Sequence, residues 1–338
     1  MTNIAVHRQP GPAASPKEIA DRLLAGPLKI AITTHRNPDG DAIGSMLGMY
    51  RALIDAGHDV VMHHPDPSPV PDDFAFLLID GEHVVSGPPN ADEKRLLLAL
   101  DCASEGRIWT HHPPDHGVTE VWNADHHHDN TRFGDLNLIE PEASSSAEVV
   151  VHILDAAGIL LTHDIARPLY VGLLTDTGRF CYANTGTEAH RIAALCISLG
   201  VDPQDIAQRL YEEQPAARLR LLGKAVDGVQ IFCDGRVMLA SLGPEDFHAA
   251  GGDDTEGIVE ALRSIEGVEV AGLARRLGPK GWRMSLRSST GDPDVSAIAR
   301  EHGGGGHKSA AGFSSDLDID DLFSRIVERL TEQFAGQH

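Results

Sequence analysis

No stretch of 18 or more apolar residues occurs in the 338-residue chain, and no basic segment followed by an apolar one opens it. A membrane-spanning helix and a secretory leader are therefore not expected, and Met1 to Pro16, polar and proline-rich, reads as a frayed terminus. The four cysteines, Cys102, Cys181, Cys196 and Cys233, stand far apart with no C-x-x-C pair. This speaks against a zinc ribbon or a disulfide framework and for reduced, mostly buried thiols. Positive charge is also scarce: 28 Lys plus Arg against 50 Asp plus Glu give a formal net charge of −22. Nothing global attracts a polyanion, so a phosphate substrate would need local positive charge from metal ions and a few placed side chains. Internal repeats, heptads and low-complexity tracts are absent as well. The chain is thus expected to be a soluble, cytoplasmic, globular protein long enough for two cores.

Pro27 to Thr34 is a β-branched, apolar run suited to a buried parallel strand, and it leads directly into His35-Arg-Asn-Pro-Asp39-Gly-Asp41. Ala42 to Ala56 then carries apolar residues at helical spacing, closed by Gly57. His35, Asp39 and Asp41 would share a strand-to-helix loop that Pro38 and Gly40 bend sharply. Capping could account for Asp39 and Asp41, but not for His35. A second strand is expected over Asp59 to His63, with a loop over Pro65 to Pro71. Arg95 to Leu100 (RLLLAL) reads as a third buried strand ending at Asp101, which is either a helix cap or a ligand at the sheet edge.

A fourth strand, Val118 to Ala124, runs into Asn123-Ala-Asp-His-His-His-Asp-Asn130, whose loop continues through Phe133 to Asn137. Asp125, His126 and His127 then sit at the carboxyl edge of an open α/β sheet, where ligands bind. Adjacent histidines on irregular backbone can serve different purposes, one on a metal and one on a substrate, with Asp125 orienting from behind. A capped amphipathic helix is expected within Glu142 to Ala157. Another, Ile165 to Leu174, runs into Thr175-Asp176-Thr-Gly-Arg179, where Asp176 needs a metal or Arg179 as partner. Three helices follow, over Thr187 to Leu199, Pro203 to Tyr211 and Ala216 to Leu222.

Beyond Ala225 the pattern changes to paired strands and helices. Val229 to Cys233 pairs with Arg236 to Leu242, and Val268 to Leu277 with Trp282 to Ser288. Ser285-Leu-Arg287-Ser288 ends a strand. Gly303 to Gly306, followed by His307 and Lys308, reads as a loop between helices whose bare amides approach an anion, rather than as a flexible joint. The expected fold class is α/β: a parallel-sheet N-terminal domain plus a smaller α+β C-terminal domain, with a catalytic cleft between them. The boundaries are 15–190 for the catalytic domain, 191–224 for a helical connector and 225–335 for a substrate-binding domain.

His35, Asp39, Asp41, Asp101, His126 and Asp176 are oxygen and imidazole donors without a thiolate. Such a set suits Mn²⁺ best, with Mg²⁺, Co²⁺ or Zn²⁺ as competitors. The carboxylates are too many for one ion, and a bridging Asp would balance two.

HRNPDGDAIGS, the LALD that ends at Asp101, DHHHDN and LLTDTGRF, in that order, resemble the four metal motifs of the DHH phosphoesterases. SLRS followed by GGGGHKSAAGF resembles their DHH-associated C-terminal domain, and the likeness spans Ile30 to Phe313. It is greatest to the bacterial group of bifunctional oligoribonucleases and 3′-phosphoadenosine 5′-phosphate phosphatases, which includes enzymes cleaving cyclic di-AMP or linear pApA.

The resemblance implies two Mn²⁺ per chain. His35, Asp39 and Asp101 would hold one ion, and Asp41, Asp101, His126 and Asp176 the other, Asp101 being the bridge. Asp125 would orient His126, and His127 would contact the scissile phosphate and help protonate the leaving oxygen. Arg287, Ser288, Gly304, Gly305, Gly306 and His307 would bind substrate. The implied reaction is hydrolysis, by a metal-activated hydroxide, of short RNA or dinucleotides to 5′-mononucleotides and of 3′-phosphoadenosine 5′-phosphate to AMP. Long duplex nucleic acid and membranes are not expected partners; a homodimer is compatible. An inorganic pyrophosphatase or polyphosphatase would share the metal motifs, and a nucleotide-sensing module without catalysis is the alternative of another class. His128 and the His111-His112 pair fall outside the motifs and read as surface residues.

Overall fold

A computed structural model describes residues 10–65, 70–90, 92–108, 117–212, 215–276, 278 and 281–336. The chain divides into two compact units, Met1–Glu212 and Glu213–His338. The helices within 191–224 are shared between them: Ile192, Cys196 and Ile206 belong to the core of the first unit, Ala217 and Leu221 to a core of the second.

The first unit contains α1 (Pro16–Leu24), β1 (Lys29–Thr33), α2 (Gly40–Asp55), β2 (Asp59–His64), β3 (Val84–Ser86), β4 (Arg95–Leu100), β5 (Val118–Asp125), β6 (Leu136–Ile139), α3 (Ser146–Ala156), α4 (His163–Asp176), α5 (Thr187–Ser198) and α6 (Pro203–Ala207). Its six strands are all parallel, in the order β3-β2-β1-β4-β5-β6. The order reverses between β1 and β4, so a crevice opens outside their carboxyl ends, the place where parallel sheets take ligands. Both sheet faces are covered. Ile30, Ile32, Leu96, Leu98 and Leu100 join the large core with the helices, while Ala31, Leu97 and Ala99 pack against Cys102, Ile108 and Phe133. That is why RLLLAL is unbroken by polar residues.

Helices α2 and α4 cross closely, because glycine stands where a side chain would collide. A Cβ at Gly44 would lie 2.3 Å from the Pro168 carbonyl oxygen, and one at Gly172 would lie 2.8 Å from Asp41 Oδ1. The crossing therefore fixes Asp41, in the first turn of α2, relative to Asp176, the last residue of α4.

The second unit contains α7 (Ala216–Asp227), β7 (Gln230–Phe232), β8 (Val237–Leu242), α8 (Pro244–Ala250), α9 (Ile258–Arg263), β9 (Val270–Arg275), β10 (Trp282–Ser288), α10 (Val295–Glu301), β11 (Gly305–His307), β12 (Ala310–Ser315) and α11 (Ile319–Ala335). Its sheet runs β11-β12-β10-β9-β8-β7, antiparallel except for the β8–β9 pair. One face carries Trp282, Met284, Leu286, Ala311 and Phe313 into a core with α10 and α11. On the other face Ala271 and Leu273 of β9 pack with α7, α8 and α9. On that same face Arg283, Ser285, Arg287, Gly312 and Ser314 are exposed or half-buried.

Several expectations change. Phe133 to Asn137 is not all loop, since β6 begins at Leu136 and pairs with β5. Gly303 to Gly306 is not a loop between helices: Gly305 onward forms an edge strand on β12. The end of the segment read as frayed is ordered: α1 begins at Pro16, its last residue, and is secured by a capping box between Ser15 and Glu18.

Candidate active site

β1 delivers His35 to the crevice with its ring fixed. Its Nδ1 lies 2.8 Å from the Arg36 carbonyl oxygen, which can only accept, so Nδ1 donates and Nε2 faces the site. That Nε2 stands 3.3 Å from Asp101 Oδ2 and 3.9 Å from Asp39 Oδ2. His126 is turned in the same way, with Nδ1 3.4 Å from the Ala143 carbonyl oxygen. Its Nε2 lies 3.6 Å from Asp176 Oδ2, 3.7 Å from Asp101 Oδ1 and 3.9 Å from Asp41 Oδ2. Most of these separations are long for hydrogen bonds. They fit neighbouring ligands of a shared divalent ion, since donors about 2.1 Å from one ion stand about 3 to 4 Å apart.

Three groups of potential ligands result: His35, Asp39 and Asp101; Asp41, His126 and Asp176; and Asp101, Asp125, His126 and His127. Asp101 has one oxygen toward His35 and the other toward His126. Its backbone is left-handed, with φ 55°, a conformation that a non-glycine residue adopts only when its surroundings enforce it. Its N–H donates to the Ala124 carbonyl at 3.2 Å, which ties the end of β4 to the end of β5.

The first turn of α3 supports these carboxylates. The backbone N–H groups of Ser146 and Ala147 donate to Asp41 Oδ2 and Oδ1 at 2.6 and 2.9 Å, and the Ser146 hydroxyl donates to Asp101 Oδ1 at 3.0 Å. A helix N-terminus is a favourable place for a carboxylate. Ser146 was visible in the sequence only as one of three serines before a helix.

Asp125 does not orient His126. Its Oδ1 lies 2.8 Å from His127 Nδ1, and its Oδ2 accepts from Asn130 Nδ2 at 2.6 Å. Asn130 also donates to Asn123 Oδ1 and to the Cys102 carbonyl, at 2.8 and 3.0 Å. Asn123 is fully buried and donates to the carbonyls of Ala99 and Cys102. An asparagine at both ends of the Asn123 to Asn130 stretch was the available signal for this network. Asn184 donates to the Ser144 carbonyl at 2.8 Å and to Asp176 Oδ2 at 3.4 Å, and nothing local in the sequence marked it.

The carboxylates divide electrostatically. Burial pushes Asp41 well above the usual range, and the charges of Asp101, Asp176 and Asp39 add to this. Burial likewise raises Asp176, to about 7, with His126 working against it. Asp101 goes the other way: burial is outweighed by the hydrogen bond and charge of His35, followed by the charges of His127 and His126. His127 is raised to about 9, because the Asp125 hydrogen bond and charge overcome its burial. Strongly opposed shifts of this kind, collected in one crevice, mark functional sites.

In the second unit Arg287 donates from Nε to Glu260 Oε1 at 2.7 Å. Ser288 is not presented beside it: the residue is buried, and its Oγ accepts from the Gly291 N–H at 3.2 Å. The glycines differ in what requires them. A Cβ at Gly304 would lie 2.2 Å from the Gly312 carbonyl oxygen, and Gly306 has φ 134° and sits against Ala310. A Cβ at Gly305 would meet nothing within 4 Å. His307 and His128 are exposed, whereas His111 and His112 lie outside the described residues.

Residues 29–173 match the DHH family, N-terminal domain, and residues 235–336 match the DHHA1 domain. A protein of Thermus thermophilus described as bifunctional oligoribonuclease and PAP phosphatase NrnA is 37% identical over 318 residues, 92% of this chain and 91% of that one. The cyclic-di-AMP phosphodiesterase PdeA of Listeria monocytogenes is 28% identical over 91% of this chain and 48% of its own. A crystal structure of an exopolyphosphatase-related protein from Bacteroides fragilis superposes with a TM-score of 0.82 at 26% identity, covering 93% of this chain and 96% of that one.

Proposed function

Because the chain belongs to the DHH phosphoesterase family, hydrolases of phosphoric esters, we propose that its crevice holds two divalent ions and cleaves short oligoribonucleotides, dinucleotides and 3′-phosphoadenosine 5′-phosphate. The observation that carries this reading is the division of Asp101, with Oδ2 toward His35 and Oδ1 toward His126, as a bridging carboxylate requires. His35 and Asp39 complete one side; Asp41, His126 and Asp176 complete the other. The donors are all oxygen or imidazole nitrogen, which favours Mn²⁺. When bound, such a pair of ions supplies the acidity that activates a water and neutralises phosphoryl oxygens.

The protein's own groups supply the remaining steps. Asp125 fixes the His127 ring and keeps it protonated, so that His127 can hydrogen-bond a phosphoryl oxygen and give a proton to the departing oxygen. Asn130 holds Asp125 in turn. Arg287, His307 and the bare backbone at Gly305 take the nucleotide. The net charge of −22 supports small substrates over long strands, which would be repelled outside the site.

The test is a panel of pyrophosphate, 3′-phosphoadenosine 5′-phosphate, a ribodinucleotide and a 50-nucleotide RNA, each with Mn²⁺. Turnover of the two nucleotide substrates above the other two is expected. Preference for pyrophosphate, or equal rates on the dinucleotide and the long RNA, contradicts the proposal.

A further inference from the structure

The outer face of the second sheet carries a pattern that the proposed function leaves unexplained. Pairing across β11, β12, β10 and β9 arranges its side chains in rows. One row contains His307, Ala310, Arg287 and Ala271; the next contains Gly305, Gly312, Ser285 and Leu273; the third contains Ser314, Arg283 and Arg275, with Ala271 and Leu273 buried against the helices. On β11, β12 and β10 the cationic positions thus flank a stretch with almost no side chains, Gly305, Gly312 and Ser285. Successive rows are two residues apart along the strands, so Arg283 lies about 14 Å from Arg287.

The third row is unusual because Arg283 and Arg275 stand directly opposite each other. Like charges in that position destabilise a sheet. Neither forms an ion pair within 4 Å among the described residues, and Arg275 donates instead to Thr255 Oγ1 at 2.9 Å. Burial and the Arg283 charge hold the Arg275 guanidinium below its usual value, with Glu256, Asp253 and Asp254 opposing. Both arginines line a cavity of about 620 Å³, together with Trp282 and Ser314 and also with Asp253 and Asp316. Two guanidinium groups held side by side form a chelate for two oxygens of one phosphate. The nearby carboxylates favour the single charge of a phosphodiester over a doubly charged terminal phosphate.

We propose that Arg275 and Arg283 form a second phosphate site, which holds the chain of an oligoribonucleotide longer than a dinucleotide as it runs from Arg287 across the bare Gly305-Gly312-Ser285 row. This rests on the function proposed above, which assigns the first nucleotide to Arg287 and His307. The site makes chain length a determinant of affinity, and it would be empty when a dinucleotide binds.

The experiment compares wild type with Arg275→Gln/Arg283→Gln, and with Arg283→Gln alone, on a ribodinucleotide and a ribopentanucleotide. Anisotropy of a labelled pentanucleotide is followed in EDTA across a salt series. The double variant is expected to raise KM for the pentanucleotide about ten-fold, with the loss confined to that substrate, and to lower the salt slope of binding by about 0.7 per lost phosphate contact. Equal losses on both substrates, or no loss on the pentanucleotide, overturn the proposal. Should wild type cleave neither substrate, the proposed function fails instead, and the unchanged or reduced salt slope still decides whether these arginines bind the strand. Arg283 is exposed, so its single variant retains the fold if the double variant does not.

Discussion

Asp125 Oδ1 lies 2.8 Å from His127 Nδ1, and this pairing, between the last residue of β5 and the second after it, turns the carboxylate to His127 and not to its neighbour His126. Asp125→Asn keeps the shape but presents an amide in place of the carboxylate. It is expected to lower kcat on a dinucleotide by about 10²-fold while KM changes little. His127→Asn should lose a similar factor, and the double variant no more than the worse single one, because the two act as a unit. Additive losses would show independent roles.

Asp176, raised to about 7, carries a proton at pH 6 that a bound cation would displace, and the upward shift of Asp41 acts in the same direction. The carboxylate form is the ligand, so affinity for Mn²⁺ should fall as the pH drops below about 7 and level off above it. Calorimetry at pH 6 in two buffers of different ionisation enthalpy should report release of about one proton or more per chain. Release should be smaller at pH 8.

Gly172 leaves room for Asp41, whose Oδ1 would lie 2.8 Å from a Cβ at that position. Gly172→Ala should therefore displace Asp41 and loosen the α2–α4 crossing, at about 1 to 3 kcal/mol of stability. A lower melting temperature together with weaker Mn²⁺ binding is the expected result. Retained metal affinity would mean that Asp41 does not depend on this contact.

Of Gly304, Gly305 and Gly306, Gly305 is the one at which a Cβ would meet nothing within 4 Å. Gly305→Ala should leave the melting temperature within a degree or so and raise KM, whereas Gly304→Ala, facing the Gly312 carbonyl at 2.2 Å, should destabilise the protein. Unchanged KM in Gly305→Ala would remove the bare backbone from the substrate site.

The parallel sheet and the convergence of His35, Asp39, Asp41, Asp101, His126 and Asp176 were legible because each follows, ends or begins a strongly patterned strand or helix. Strand order then carries such residues to a single edge. Orientation was less legible. Whether Asp125 faces His126 or His127 depends on backbone angles in a loop, and neither periodicity nor spacing encodes those. The strands β3, β6, β11 and β12 were missed because Val84–Ser86 and Leu136–Ile139 are too brief to show alternation, and Gly305–His307 and Ala310–Ser315 are rich in Gly and Ala, which have low strand preference. Ser146 and Asn184 act through contacts made across the fold, which a local reading does not reach.

The most direct test of the account is the metal content of wild type and Asp101→Asn, measured by elemental analysis and by calorimetric titration with Mn²⁺. Two ions per chain are expected in the wild type, and the single substitution should weaken both by about ten-fold or more, because one carboxylate serves both. One ion per chain, or a variant in which only one of two is lost, would contradict a shared Asp101.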